Sequence, residues 1–169
     1  YVTFEQFGLF TPEIAALGQV AGDRIFRRDC LEVDLTIGGL PLTLYLVHFK
    51  SMGSPRNGLD GREATMPVRI AEAKAVRRII EERFGADHAA DKRWAICGDM
   101  NDYRQRVKIA GDDLDGYRFE VVDEAQSCID VLTAAVSTAN VSAHFARVEL
   151  DPSSGQFRAT VDPALLERP

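Results

Sequence analysis

The chain has 169 residues, of which 46% are hydrophobic, 27% charged and 8% aromatic. Those proportions suit one folded globular domain, 1–169, and exclude a disordered or fibrous chain. A formal net charge of −6 excludes a protein that wraps nucleic acid through a broad basic surface. No apolar run approaches the roughly 20 residues that span a bilayer.

The first residues, YVTFEQFGLF, lack a basic region followed by an apolar core, so no signal peptide is expected. TPEIAALG reads as a short helix, with Thr11 as N-cap, Pro12 at the first position and Gly18 beyond the end. In RIFRRDCLEVDLTIGG, Leu31, Val33, Leu35 and Ile37 alternate with Glu32, Asp34 and Thr36, the pattern of a half-buried strand. Gly38-Gly39 turns the chain, and LPLTLYLVHF returns as the hairpin partner. Its near-continuous apolar run points to burial on both faces. SMGSPRNGLDGR, 51–62, is loop by composition. A helix follows, with Thr65 as its cap, Pro67 in its first turn and Gly85 as its stop. Ala64, Val68, Ala71, Ala75, Ile79 and Phe84 form its apolar side. Arg69, Lys74, Arg77, Arg78, Glu81 and Glu82 read as a solvated face.

RWAICG is a short buried strand, and the order strand, strand, loop, helix, strand indicates an α/β layered fold. After a polar loop, a helix is expected over about 122–132. A hairpin follows within about 141–162, where Asp-Pro-Ser-Ser-Gly joins two alternating runs. Cys30, Cys97 and Cys128 are odd in number, far apart and free of C-x-x-C spacing. They read as reduced thiols, the state of a cytoplasmic protein.

Two strands end in polar clusters. LYLVHFKS closes on His48, Lys50 and Ser51, and AICGDMND closes on Asp99, Asn101 and Asp102. Ligands in layered α/β proteins gather on the loops after strand ends. Together these side chains suit phosphoester cleavage, which needs an oriented water and donors for the phosphoryl oxygens. Carboxylate and amide oxygens also suit Mg²⁺, which adds Lewis-acid help. In a turn, Asp and Asn could instead be capping their own backbone. A further reading is a purely structural α/β protein with a coincidental motif, which a separation of His48 and Asp99 beyond about 10 Å, several times hydrogen-bond reach, would support.

HFKS at 48–51 followed by GDMN at 98–101 resembles the endonuclease/exonuclease/phosphatase superfamily, whose fold is like that of deoxyribonuclease I. Its members carry a strand ending His-Leu-Lys-Ser, an Arg-x-x-x-Ala helix and a strand ending Gly-Asp-Phe-Asn. The helix motif is matched loosely at Arg62, Glu63 and Ala64, and Arg28 sits where members place an Arg before a strand. The similarity covers about residues 24–132.

The resemblance implies a four-layered α/β sandwich and a metal-dependent phosphodiesterase or phosphatase using Mg²⁺ or Mn²⁺. Asp99 would orient the attacking water, His48 would contact the phosphate, and Asn101 would bind phosphate or, with Asp99, the metal. Arg28, Lys50, Ser51 and Asp102 would contact the substrate. Members also have two early strands ending in Asn and in Gln-Glu, and a final Ser-Asp-His strand. Glu5-Gln6 has the reverse order, and Ala143 precedes His144 where an Asp stands in the family. The expectation is therefore a partial or degenerate member, incomplete at the N-terminus and at the C-terminus. His144 is the one candidate for the terminal catalytic His. Exposed sheet edges would favour self-association. An inactive remnant or interaction module on the same scaffold is the alternative.

Overall fold

A 24-residue helix, α2 (Gly61–Phe84), organises the computed structural model, which describes residues 1–111, 116–134, 147–150 and 157–160. It starts at Asp60, whose carboxylate accepts from the Glu63 N–H while the Glu63 side chain accepts from the Asp60 N–H. This reciprocal cap satisfies two otherwise orphaned donors. Asp60 thus takes the place expected for Thr65, and Pro67 falls inside the helix. The Thr65 hydroxyl donates to the carbonyls of Gly61 and Ser51 instead. Gly85, at φ 82°, ends the helix as expected.

The inner side of α2 buries Ala71, Ala73, Ala75, Val76 and Ile80 against one face of a three-stranded sheet. That sheet has the order β1 (Cys30–Ile37), β2 (Leu40–His48), β3 (Trp94–Asp99). Strand β1 pairs antiparallel with β2, and β2 pairs parallel with β3. The parallel pair is reached through α2, a helical crossover of the kind such pairing requires. Tyr45, Val47 and Phe49 supply the sheet's half of the core and are joined by Phe4, Ile14 and Ile25 from the N-terminal segment. Each fully buried aliphatic or aromatic side chain there contributes about 1.5–3 kcal/mol. Helix α1 (Pro12–Ala16) is capped by Thr11, as the sequence indicates.

The alternation in β1 marks a strand, but its apolar side turns away from the core. Leu31, Leu35 and Ile37 are exposed, and the side facing α2 carries Glu32 and Asp34, both paired with Arg83. Strand β2 is covered on one face only, with Leu40 and Leu46 exposed on the other. Register places Leu31 beside Leu46, Val33 beside Leu44, Leu35 beside Leu42 and Ile37 beside Leu40. Ala95 and Cys97 of β3 continue that face. The result is an open sheet face of apolar side chains, which gives way to His48 and Asp99 where β2 and β3 end.

Beyond β3, β4 (Gln105–Ala110) and β5 (Arg118–Asp123) form a separate antiparallel pair. The helix expected from 122 is shorter and later, α3 (Cys128–Ala134). Val122 belongs to a strand, because Val121, Val122 and the residues before them pair with β4. The chain divides into two compact units, Tyr1–Ser137 and Thr138–Pro169. In the second, β6 (Arg147–Leu150) pairs antiparallel with β7 (Phe157–Thr160), within the range of the expected hairpin. His144 and Ala143 lie outside the described residues.

Candidate active site

Strands β2 and β3 end side by side, with His48 directly across from Asp99. The ladder runs one step further, where the Phe49 N–H donates to the Asp99 carbonyl at 2.9 Å. Gly98 makes this approach possible. Its φ is 135°, and a Cβ there would run into the Val47 carbonyl of β2. Only glycine tolerates both conditions. The two strand-end motifs therefore meet because the strand just before Asp99 can lie flush against β2.

The side chains follow. His48 Nε2 lies 3.8 Å from Asp99 Oδ2, so the two motifs meet and the wide separation that would support a coincidental motif is not found. Asp99 Oδ1 accepts from the Asn101 N–H at 2.8 Å, an Asx turn that leaves Oδ2 facing the His48 side. Asn101 takes a left-handed φ of 49°, and its Nδ2 donates to the Phe49 carbonyl at 3.1 Å. Arg28, arriving just before β1, donates to His48 Nε2 and to Ser51 Oγ. A guanidinium only donates, so Nε2 accepts here, and the donors presented by the site are those of Arg28 and Ser51. His48 and Asp99 are both about half exposed, with side-chain exposures of 48% and 62%. A ligand in solution can reach them.

Lys50 stands beside this group, with Nζ donating to the Ser51 carbonyl at 3.4 Å. Asp102 stands behind it. Its carboxylate has no solvent exposure and accepts from Arg62 Nε, the Tyr103 N–H, Ser127 Oγ and the Cys128 N–H. Burial acts to raise its pKa, but the bonds from Cys128, Tyr103 and Ser127 outweigh it and hold the carboxyl below its usual range. Arg62 also bonds Glu124 and the carbonyls of Tyr103 and Gln126. The expected substrate contact at Asp102 is thus turned inward. With Arg62 it ties the loop after β3 and the start of α3 to α2.

Two positioning residues lie on the inner side of α2, and one of them, Arg69, belongs to the set that reads as a solvated face. Arg69 and Glu72 are 0% and 1% exposed. They sit on the inward stripe with Thr65 and Val76, three or four residues apart, and not with the outer pairs Arg77–Glu81 and Arg78–Glu82. Glu72 Oε2 accepts from the Lys50 N–H at 2.7 Å, while Arg69 donates to the Lys50 carbonyl at 3.3 Å. The pair thus clamps both sides of the residue that follows the β2 strand end. Burial pushes the Glu72 carboxyl up to about 7, against the Lys50 N–H bond and the charges of Arg69, Lys50 and Arg28. Arg69 and Ala73 also have the Arg-x-x-x-Ala spacing, and both are fully buried. The spacing at Arg69 was the signal that could have found this clamp.

Among the described residues no group of three or more His, Cys, Asp or Glu side chains could hold a metal. The strand ends carry two side-chain oxygens of the right kind, the exposed Asp99 Oδ2 and the amide oxygen of Asn101. That donor set fits a hydrated Mg²⁺, which commonly takes one or two protein carboxylates and keeps several waters. Cys30 and Cys128 offer no alternative nucleophile. Burial pushes the Cys30 thiol up to about 11, with Glu32 adding to it, and burial raises Cys128 as well. A cavity of about 610 Å³ between α1, α2 and residues 124–126 is lined by none of the strand-end residues. No helix among the described residues is long and apolar enough to cross a membrane.

No family model, no curated protein and no solved structure matches the chain. The functional reading therefore rests on the residues and their geometry.

Proposed function

We propose that the chain is a phosphoesterase of the endonuclease/exonuclease/phosphatase type. The observation that carries this reading is the meeting of Arg28, His48, Ser51 and Asp99 at two adjacent parallel strand ends. Phosphoryl transfer is catalysed mostly by positioning and charge stabilisation. Asp99 Oδ2 accepts a hydrogen from water and aims its oxygen at phosphorus. As the new P–O bond forms, the water's proton passes to Asp99 Oδ2, the ester P–O bond breaks, and the leaving oxygen takes a proton from solvent. Arg28, with Lys50 and Ser51, donates to the phosphoryl oxygens, and His48 holds Arg28 in place. Asp99 and Asn101 would hold Mg²⁺ or Mn²⁺, which when bound supplies Lewis-acid polarisation of a phosphoryl oxygen. The open apolar face of β1, β2 and β3 supports the four-layered reading, since two sheets packed face to face bury such surfaces about 10 Å apart. The same face and the β1 edge support self-association where no second sheet covers them.

Hydrolysis of bis-(p-nitrophenyl) phosphate with Mg²⁺ or Mn²⁺, beside calorimetric titration of the metal, tests the reading. D99A and N101A are expected to abolish turnover, and unchanged turnover in either overturns its assigned role. A second reading, a scaffold without turnover, is favoured by the lack, among the described residues, of any group of three or more metal-ligating side chains. It requires metal binding and hydrolysis to be absent from the parent chain.

A further inference from the structure

The chain carries 26 acidic and 20 basic side chains. Many of its arginines are tied to a carboxylate, including Arg62, Arg77, Arg78, Arg83, Arg104, Arg106 and Arg118. Arg27, Arg28, Lys50 and Arg56 are not paired with any carboxylate among the described residues, and they are neighbours. Arg28 faces His48 and Ser51, while Arg27, Lys50 and Arg56 line a cavity of about 290 Å³. No acidic residue lines that cavity, and Gln19, Ser54 and Thr65 add polar groups to it. Glu72 lies behind Lys50 and its charge reaches Lys50 and Arg28, but on the cavity side like charges gather with no carboxylate beside them, which is unfavourable unless an anion supplies the opposite charge. In an acidic chain, such a concave gathering marks an anion site.

We propose that this cavity binds a second phosphoryl group of the substrate, so that the substrate is a small molecule carrying two phosphates. The inference rests on the phosphoesterase reading for the first of them. Three features fix the ligand class. The consecutive residues Arg27 and Arg28 divide between cavity and strand ends, with Arg27 held by Gln19 at 3.1 Å and Arg28 by His48. Lys50 is two residues from His48, about 7 Å along an extended chain, and belongs to both places. That spacing suits two phosphates on one sugar-sized framework. The cavity is also just below the usual range for small-molecule sites, about 300–1,000 Å³. That volume suits a compact charged group beside the strand ends.

The test is competition against bis-(p-nitrophenyl) phosphate hydrolysis, paired with calorimetric binding in the absence of turnover. The probes are adenosine 3′,5′-bisphosphate, adenosine 5′-monophosphate and a twelve-residue oligothymidylate. Arg27 and Arg56 are exposed, so R27A/R56A leaves the core intact. In the parent chain the bisphosphate is expected to bind at least tenfold more tightly than the monophosphate. In R27A/R56A that ratio is expected to fall to within about twofold of one. A parent ratio near one overturns the proposal, as does a ratio unchanged in R27A/R56A, or an oligothymidylate that outcompetes the bisphosphate. The calorimetric ratio does not depend on turnover. A chain that prefers the bisphosphate yet hydrolyses nothing refutes the catalytic reading alone. Hydrolysis lost in D99A with no bisphosphate preference refutes the cavity alone.

Discussion

Replacing Asp102 with Ala removes the acceptor for four donors inside the protein. Those donors are Arg62 Nε at 2.8 Å, the Tyr103 N–H at 2.9 Å, Ser127 Oγ at 3.0 Å and the Cys128 N–H at 2.6 Å. The Asp102 and Arg62 side chains are 0% and 5% exposed, so water does not take over the lost bonds. Breaking a buried ion pair from one side costs about 3–5 kcal/mol. Arg62 keeps Glu124 and two carbonyls, which places the expected loss near the lower end, about 3 kcal/mol. Against a typical domain stability of about 5–15 kcal/mol, that is a large share. Urea unfolding followed by fluorescence of the single tryptophan, Trp94, reads it as a midpoint lowered by about 1–3 M. Removing both charges, in R62M/D102L, leaves no uncompensated cation and is expected to recover part of the loss. A loss below about 1 kcal/mol in D102A would show that the network does not hold the β3 loop and α3 to α2. The low pKa of Asp102 gives the sign with pH. Its contribution is complete above the unfolded carboxyl range and disappears as pH falls through the lower folded value.

G98A forces a Cβ against the Val47 carbonyl at a φ that side chains rarely adopt, and is expected to cost at least about 2 kcal/mol. Its melting temperature falls by several degrees, and an unchanged value contradicts the close strand approach. Glu72 has its folded pKa raised to about 7 from 4.5, so the folded state resists ionisation that the unfolded chain undergoes freely. Stability is therefore expected to fall between about pH 4.5 and 7, by roughly 3 kcal/mol. E72Q should flatten that slope in denaturant titrations run across the range, and an equally steep slope excludes Glu72 as its source. On the open sheet face, Leu35 and Leu46 are 37% and 39% exposed. Sedimentation velocity is expected to show concentration-dependent association of the parent chain, shifted toward monomer by L35K/L46K. A parent chain that stays monomeric across concentrations contradicts association through this face.

The sequence by itself determined the local structure whose cause is local. Thr11 with Pro12, the β1 alternation around Gly38-Gly39 and the stop at Gly85 all appear as read, because capping, side-chain period and left-handed glycine act within a few residues. It also placed His48 and Asp99 at strand ends, since a run that changes abruptly from apolar to polar marks where burial stops. What the sequence left open was decided by packing. An alternating strand has two faces, and nothing in β1 says which will meet α2. In the fold Glu32 and Asp34 lie on the α2 side, paired with Arg83 and still in contact with solvent, and Leu31, Leu35 and Ile37 lie on the other side. Charge on a helix reads as solvated, yet Arg69 and Glu72 are enclosed because each finds partners on a segment about twenty residues away. Asp102 belongs to the same case. It stands one residue from Asn101 and looks like a site residue in the chain. Only the arrival of Arg62 and the start of α3, forty and twenty-five or more residues away, turns it into the support behind the site. Short-range chemistry is written along the chain. Which charges are buried depends on partners that the fold brings from far along it.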